Sequence, residues 1–262
     1  MIKAFPNRMN LKISFLLVLI FILAARARAD TVSELLAHGD QLDIQGKISQ
    51  SMNCYLEAQK IQTNNAEILW RLSRETAYQM FDAANEKSKQ SLAESALHYA
   101  QAAVEANPKN AKSHLSIAIC YGKLVPFVDH KTQVAYSKLI RQEAEKAAEL
   151  DPSDDLTYHV LGVWNTEIAS MNPVLRAMAR IVYGGLPKGS HEAAIENFRK
   201  AISLNPKRIV NHFQLAKALQ KTDLKKEAIA EWKICTSMNP LDKDDLEARE
   251  TATALLKKWS VK

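Results

Sequence analysis

The sequence predicts an all-α fold in which pairs of antiparallel helices stack into a solenoid. The first observation is a recurrent pattern: the segments 96–108, 140–152, 194–206 and 228–240 carry small or apolar residues at the same offsets before a proline. The second is a helix stop in each segment, because the residue before proline is driven out of the helical region and proline has no amide hydrogen. The third is the number of units, since five exceed the minimum of about three for a stable stack.

The spacing inside each unit matches the tetratricopeptide pattern, W-x2-L-G-x2-Y, then A-x3-F-x2-A, then Pro, in a unit of 34 residues. Small residues are needed where the two helices of a unit touch. The fifth unit matches without a gap through His212, Leu215, Ala216, Leu219, Ala228, Trp232, Cys235 and Pro240. The earlier units match through Leu161, Gly162, Ala194, Phe198, Ala201 and Pro206; Ile117, Ala118, Tyr121, Ile140, Ala144, Ala147 and Pro152; Leu72, Ser73, Ala96, Ala100, Ala103 and Pro108; and Gly39, Leu42, Ser51, Tyr55 and Ala58.

Successive prolines lie at irregular distances, which predicts insertions between the helices of the middle units. Pro108 and Pro152 are 44 residues apart, Pro152 and Pro206 are 54 apart, and Pro206 and Pro240 are 34 apart. In the first unit Thr63 stands where the proline is expected, and it lies 45 residues before Pro108. The second, third and fourth units therefore exceed the standard pattern by about 11, 10 and 20 residues. We expect one domain over residues 30–262, with units at 32–65, 66–110, 111–154, 155–208 and 209–242.

The C-terminal segment "DDLEARETATALLKKW" predicts a capping helix over 244–260. Acidic residues stand in its first turn and Lys257 and Lys258 in its last, which suits the helix dipole. Terminal units of a solenoid need a polar outer side, so this helix is expected to close the stack. The full expectation is a tetratricopeptide-like helical solenoid with extended middle hairpins and a C-terminal capping helix.

The first 29 residues have the three parts of a secretory signal peptide. Basic residues precede an apolar run over 13–25, and small residues at Ala27 and Ala29 precede Asp30. The run has 13 residues, whereas a membrane-spanning helix needs about 20. We therefore expect cleavage after Ala29 and export to the periplasm or a secretory lumen. The alternative is a chain anchored in the membrane by a retained N-terminal segment.

Charge and cysteine content exclude several classes of function. Residues 1–29 hold five basic residues and no acidic one, so the remainder carries 30 basic against 29 acidic residues. Nucleic-acid binding depends on a concentrated basic footprint, and none is expected here. The cysteines, Cys54, Cys120 and Cys235, are odd in number and far apart, which predicts neither a disulfide framework nor a zinc site.

No catalytic or cofactor motif is present. The seven histidines form no HExxH and no pair at i, i+4; His114 and His212 occupy the same repeat position, which favours packing over metal ligation. The segment "GGLPKGS" lacks the order of a phosphate loop and is interpreted as a turn with Ser190 as the cap of the next helix. We expect no enzyme, no metal and no cofactor.

Solenoids bind partners on the concave face, which the first helices of the units line. The register assigns Leu36, Trp70, Arg74, Leu115, Ile119, His159, Val163, Phe213 and Lys217 to that face. Under one interpretation the insertions fold across the groove and these side chains are core, because "NPVLRAMARIVY" has an apolar stripe formed by Val174, Leu175, Met178, Ile181 and Val182. Arg176 and Arg180 would then face water or an anionic partner. Under the other, an apolar channel accepts a peptide or a lipid tail, with Arg74 and Lys217 pairing with its acidic group.

The fourth unit, "HVLGVWNTEIASMNPVLRAMARIVYGGLPKGSHEAAIENFRKAISLNP", resembles the regulator of microtubule dynamics family. The likeness includes its Leu-Gly-x-Trp helix, its insertion with paired arginines and its A-x3-F-x2-A helix. "QVAYSKLIRQEAEKAAELDP" and "EARETATALLKKW" are similar too, and the resemblance covers about residues 65–260. It implies an all-helical repeat protein that acts by binding, with microtubule, organelle-contact and lipid-handling roles among its members. We therefore expect a scaffold that binds a protein partner, with lipid or a membrane contact as the alternative.

Overall fold

A computed structural model of the protein describes residue 26, residues 28–183, residue 185 and residues 188–259. All regular elements in these residues are helices. Apart from residues 26, 28 and 29, the predicted signal peptide lies outside this part of the chain. Residues 28 and 29 belong to the first described helix, α1, which extends over 28–44.

Within the described residues, five helical hairpins follow one another, as the repeat pattern predicts. They are α1 with α2 (Ile48–Ile61), α3 (Ala66–Tyr78) with α4 (Glu86–Ala106), α5 (Ala111–Leu124) with α6 (His130–Leu150), α7 (Asp155–Ser170) with α9 (His191–Leu204), and α10 (Ile209–Lys221) with α11 (Lys225–Ser237). Inside the fourth hairpin lies α8 (Pro173–Tyr183), and α12 (Lys243–Trp259) packs on α10 and α11. The predicted solenoid with its capping helix is confirmed.

The helix boundaries follow from side chains that satisfy free backbone groups. Asn107, Asp151 and Asn205 each end a helix before proline, with φ between −151° and −140° and ψ between 85° and 95°. Each side chain then accepts a hydrogen bond from the amide two residues later, at 3.0, 2.9 and 3.3 Å respectively. Ser190 caps α9 as predicted, because its Oγ accepts from the Ala193 amide at 3.1 Å. The repeat therefore sets its own helix ends.

Side-chain sizes are matched where the two helices of a hairpin cross. Tyr55 and Phe198 are fully buried, and each ring lies on a glycine of the partner helix, Gly39 and Gly162 respectively. A Cβ atom on Gly39 would lie 2.4 Å from Tyr55 Cε1. Two other units carry alanine at the repeat position of Tyr55 and Phe198, and at the position of the glycine they carry a larger residue; by register these pairs are Ser73 with Ala100 and Ala118 with Ala144.

The insertions of the second and third units lengthen their hairpins. α4 and α6 each have 21 residues, compared with 14 in α2. Short 3-10 turns at Gln79–Asp82 and Val125–Phe127 precede them. The extended middle hairpins are thus formed by longer second helices.

The larger insertion of the fourth unit forms α8, which does not fold across the concave face as the first of the two interpretations predicts. The main packing partner of α8 is α6, a second helix, whereas covering the concave face requires packing on first helices. Val174 and Ile181, expected in the core, are 69% and 83% exposed, and the small Ala179 is buried instead. Leu175 is half-buried, and the side chains of Met178 and Val182 lie outside the described part of the structure. The side of α8 that meets the protein therefore carries Ala179, and Val174 and Ile181 lie away from it.

Candidate functional site

The concave face is formed by first helices that contact one another in sequence, α3 with α5, α5 with α7 and α7 with α10. Of the nine residues predicted to line it, Trp70, Leu115 and Phe213 are buried and Lys217 is exposed. The others are half-buried: Leu36, Arg74, Ile119, His159 and Val163. The three buried side chains are therefore part of the core, as the first interpretation predicts. They are buried by neighbouring helices of the stack and not by α8.

Arg74 was expected to pair with an acidic group of a ligand, and the structure gives it internal partners instead. Its Nη2 atom lies 3.0 Å from Asp43 Oδ2 on α1 and 3.0 Å from Glu75 Oε1. The same atom donates to Tyr55 Oη at 3.1 Å. The guanidinium charge is therefore already balanced, which makes Arg74 a poor candidate for binding an external anion.

A buried polar network surrounds Arg74, and we call it the Arg74 cluster; it comprises Asp40, Asp43, Ser51, Tyr55, Arg71, Arg74 and Glu75. Glu75 is fully buried and accepts a hydrogen bond from Ser51 Oγ at 2.7 Å. Burial raises the pKa of Glu75 to about 7, against the opposing attraction of Arg74. Arg71 pairs with Asp40 at 2.8 Å and stacks on Trp70, with its guanidinium carbon 4.2 Å from the ring centre.

A second buried network joins the fourth and fifth units. The Nδ1 atom of His159 lies 2.9 Å from Asn211 Oδ1, and the Asn211 amide donates to Asp155 at 2.9 Å. Because the amide oxygen only accepts, His159 Nδ1 carries the proton. Burial lowers the pKa of His159 to about 4, so the ring is neutral. Arg208 completes the network by pairing with Asp155 at 2.7 Å.

The capping helix approaches the second unit. Lys243 Nζ, at the start of α12, lies 3.5 Å from Asp82 Oδ1 at the end of the 3-10 turn after α3. Lys243 and Lys123 both face the ring of Phe81, at 5.8 and 5.4 Å from its centre. The curvature of the stack therefore brings its C-terminal end back to an early hairpin and narrows the concave groove.

The accessible part of the concave face on α5, α7 and α10 is a strip that we call the central strip, formed by Ile119, Val163 and Lys217, whereas His159 belongs to the second buried network. Ile119, Val163 and Lys217 occupy the same repeat position in three successive units, so they follow one another along the groove. Lys217 is exposed, and its Nζ atom lies 5.7 Å from the centre of the Phe213 ring. The strip thus combines a partly apolar floor with one exposed cation.

His114 and His212 have the structural role predicted from their shared repeat position. His212 Nδ1 lies 2.7 Å from Glu231 Oε2, and its Nε2 lies 3.1 Å from the carbonyl oxygen of Pro206. His114 repeats the arrangement with Glu143 at 2.6 Å and Pro108 at 2.9 Å. Over the described ranges, no group of three or more His, Cys, Asp or Glu residues has a geometry that would hold a metal.

The repeat register placed the residues of the central strip on first helices, but it did not predict the two buried networks. The available signal was the placement of charged residues beside core positions, such as Arg74 and Glu75 next to the buried Ser73. Register alone assigns such residues to the groove and does not reveal their partners on the neighbouring unit.

A cavity of about 380 Å³ lies at the N-terminal end of the stack, lined by Arg28, Thr31, Lys60 and Ile61. Its lining shares no residue with the concave face. None of the helices in the part of the chain that the structure describes has the length and apolar content needed to cross a bilayer.

Comparisons with known proteins agree with the fold. The sequence model of the family described as Regulator of microtubule dynamics protein 1-3 matches residues 35–260. Regulator of microtubule dynamics protein 1 of Bos taurus is 29% identical over 246 residues, which cover 91% of this chain and 75% of the relative. The Mus musculus protein of the same name is 28% identical over 229 residues, covering 86% and 73%.

Solved structures at low identity share the fold alone. A thermophilic TPR protein of Thermus thermophilus is similar with a TM-score of 0.61 and 17% identity, covering 85% of this chain and 99% of that one. Pseudomonas aeruginosa pilF is similar with a TM-score of 0.52 and 15% identity, covering 89% and 93%.

Proposed function

The chain belongs to the regulator of microtubule dynamics family, and from that premise we propose that it is a non-catalytic scaffold whose concave face binds another protein. The central strip is the observation that carries the proposal. Its members stand in repeat register on adjacent first helices, which is how helical solenoids present a continuous binding surface.

The chemistry of the strip defines the partner segment. Ile119 and Val163 offer a half-buried apolar floor, and Lys217 offers an exposed positive charge beside the Phe213 ring. A segment with an apolar side chain followed by a carboxylate would match both features. Since Arg74 is neutralised by Asp43 and Glu75, Lys217 is the cation of the predicted face that remains available for such a carboxylate.

The names of the relatives make the microtubule the first partner to test. Co-sedimentation of the purified protein with stabilised microtubules measures binding directly. Lys217→Glu should weaken it about tenfold or more, equivalent to about 1.4 kcal/mol, because a carboxylate would then face the acidic partner. Lys226→Glu, at another exposed position, is the matched charge control.

The same variants test any other partner. Ile119→Ala should reduce affinity through lost apolar contact, while Lys226→Glu should leave it unchanged. A protein partner whose affinity responds to neither Lys217→Glu nor Ile119→Ala would overturn the assignment to the central strip.

Lipid carriage in the concave groove has less support. Leu115 and Phe213, which were expected to line an apolar channel, are only 2% and 9% exposed, so an acyl chain would meet little open apolar surface there. Mass spectrometry of an organic extract of the purified protein checks this, and stoichiometric lipid in that extract would favour the channel.

We also propose export after cleavage at Ala29, with a retained N-terminal anchor as the alternative that permits membrane contact. N-terminal sequencing of the protein recovered from cells distinguishes them, since cleavage leaves Asp30 as the first residue. The result bears on the partner, because a periplasmic or lumenal protein meets no microtubules. Recovery of Met1 or another early residue would reject cleavage and strengthen the microtubule test.

A further inference from the structure

An apolar edge of α8 faces away from the rest of the protein. Val174 and Ile181 are the members of this edge, and their side chains are 69% and 83% exposed. They are seven residues apart, so they lie on one side of the helix within about 20° of each other, two turns apart. Exposed large hydrophobic residues are normal when scattered singly, but two on one side of an 11-residue helix form a directed surface.

The segment of the chain that contains α8 carries charge of one sign. No Asp or Glu occurs between Glu167 and Glu192. Arg176, Arg180 and Lys188 lie in that interval and are exposed. Arg180 immediately precedes Ile181, about 100° away around the helix, so its guanidinium flanks the apolar edge. The apolar edge is therefore flanked by Arg180, in a segment that carries Arg and Lys but no Asp or Glu.

The protein holds α8 in place from its opposite side. Ala179 is buried, and α6 is the main packing partner of the helix. Arg176 Nη2 donates to the Ile168 carbonyl at the end of α7, at 3.0 Å. These contacts fix the rotation of α8 about its own axis, so the packing of the fold itself directs Val174 and Ile181 outward.

We propose that α8 contacts the surface of an anionic lipid bilayer, with Val174 and Ile181 entering the acyl region and Arg180 and Lys188 meeting the headgroups. Interfacial helices combine an apolar face with Lys and Arg in this way, and the long cationic side chains reach the headgroup level while the apolar residues lie below it. The charge complementarity selects an anionic surface over a neutral one. This proposal is independent of the concave face.

A lipid surface suits α8 better than a protein partner does. An 11-residue helix is about 16 Å long, and a specific protein interface buries about 800 Å² on each partner around central aromatic or arginine anchors. Val174 and Ile181 protrude as separate side chains, which a fluid bilayer accommodates without a matching groove. The contact is expected to be weak, reversible and sensitive to salt.

Vesicle co-sedimentation of the protein as recovered from cells tests the proposal. Vesicles of phosphatidylcholine with about 30% phosphatidylglycerol should bind the protein at least tenfold more tightly than pure phosphatidylcholine vesicles, which corresponds to about 1.4 kcal/mol. Ile181→Asp and Val174→Asp should each remove that preference or weaken anionic binding at least tenfold. Both positions are exposed, so the fold is retained, and circular dichroism checks it.

Matched variants control for general effects. Ile44→Asp changes a large hydrophobic residue that is 66% exposed at the end of α1, and it should bind as the unmodified protein does. Arg180→Glu should weaken binding, while Arg199→Glu on the exposed side of α9 should not.

Hydrogen–deuterium exchange locates the contact. Anionic vesicles should slow exchange over residues 173–183 and leave 191–204 unchanged. Equal binding to neutral and anionic vesicles, unchanged binding by Ile181→Asp, or no protection over 173–183 would each overturn the proposal. Protection of 173–183 by a purified protein partner without vesicles would replace the lipid surface with a protein interface. None of these outcomes alters the tests of the central strip.

Discussion

Gly162 on α7 lies directly against the ring of Phe198 on α9. A Cβ atom at Gly162 would be 2.5 Å from Phe198 Cε1, closer than real Cβ contacts allow. Phe198 is fully buried and contributes to the core of the last two hairpins. The glycine is therefore required by the size of the residue opposite it.

Gly162→Ala should lower the free energy of unfolding by about 1–3 kcal/mol, because the added methyl group overpacks a filled crossing. Urea denaturation with the unmodified protein as reference measures the change. The matched control is Gly122→Ala on α5, where an added Cβ meets nothing within 4 Å. That variant should be stabilised by about 0.5–1 kcal/mol through the helix preference for alanine. Equal changes in the free energy of unfolding for Gly162→Ala and Gly122→Ala would contradict the close contact between Gly162 and Phe198.

His212 should make the protein less stable as pH rises through neutrality. Burial opposes its protonation, but the hydrogen bonds to Glu231 and to the Pro206 carbonyl outweigh burial and raise the pKa of His212. A histidine whose pKa is raised in the folded state stabilises the protein fully at pH values below its unfolded-state pKa of about 6.5. This contribution to the free energy of unfolding is lost as the pH rises through the folded-state pKa.

Urea denaturation between pH 5.5 and 8.5 checks this effect. The difference in unfolding free energy between the unmodified protein and Glu231→Gln should be largest at the acidic end and shrink above neutrality. Comparing the two proteins cancels the titration of Glu75 and of other shared groups. A difference independent of pH would show that the pair does not depend on the charge of His212.

His159 should act in the opposite direction. Burial lowers its pKa to about 4, so between about pH 6.5 and 4 the unfolded chain binds a proton that the folded protein does not. The contribution of His159 to the free energy of unfolding is therefore complete above pH 6.5 and is lost as the pH falls. At 1.36 kcal/mol per pKa unit, the loss reaches up to about 3 kcal/mol. NMR titration of the ring should show His159 neutral at pH 5.5, and a midpoint near 6.5 would contradict its burial.

Removing the Arg74 charge should lower the free energy of local unfolding most in the first hairpin. Arg74→Met leaves Asp43 and the fully buried Glu75 without their cation, and breaking such a pair costs about 3 kcal/mol. The Glu75 side chain should then be protonated at a higher pH than before. Hydrogen exchange should show the largest loss of protection in α1 to α3. Arg199→Met, in an exposed pair with Glu227, should cost less than about 1 kcal/mol.

Repeat register was sufficient to predict the hairpins, because the constraint is local. Asn107 before Pro108 ends a helix whatever lies around it, and a glycine opposite Phe198 is required by that ring alone. The position of α8 was not predictable in the same way. Its stripe from Val174 to Val182 predicts an amphipathic helix but does not say which side meets the protein, and in the structure the buried side carries Ala179.

The candidate site was predicted in part for a similar reason. Register placed Ile119, Val163 and Lys217 correctly on first helices. It also placed Arg74 there, but the carboxylate of Asp43 that neutralises Arg74 belongs to the preceding unit. The contact between Asp82 and Lys243 depends on the accumulated curvature of three intervening hairpins, and no short sequence pattern encodes that angle.

The contact of α12 with the second unit changes how the stack responds to heat. In a linear array each hairpin contacts only its neighbours, so its stability depends on its own contacts and on those with the adjacent hairpins. Here Lys243 at the start of α12 also lies 3.5 Å from Asp82 in the turn after α3, so unfolding of the capping helix would remove a contact of the second hairpin as well as those of the fifth.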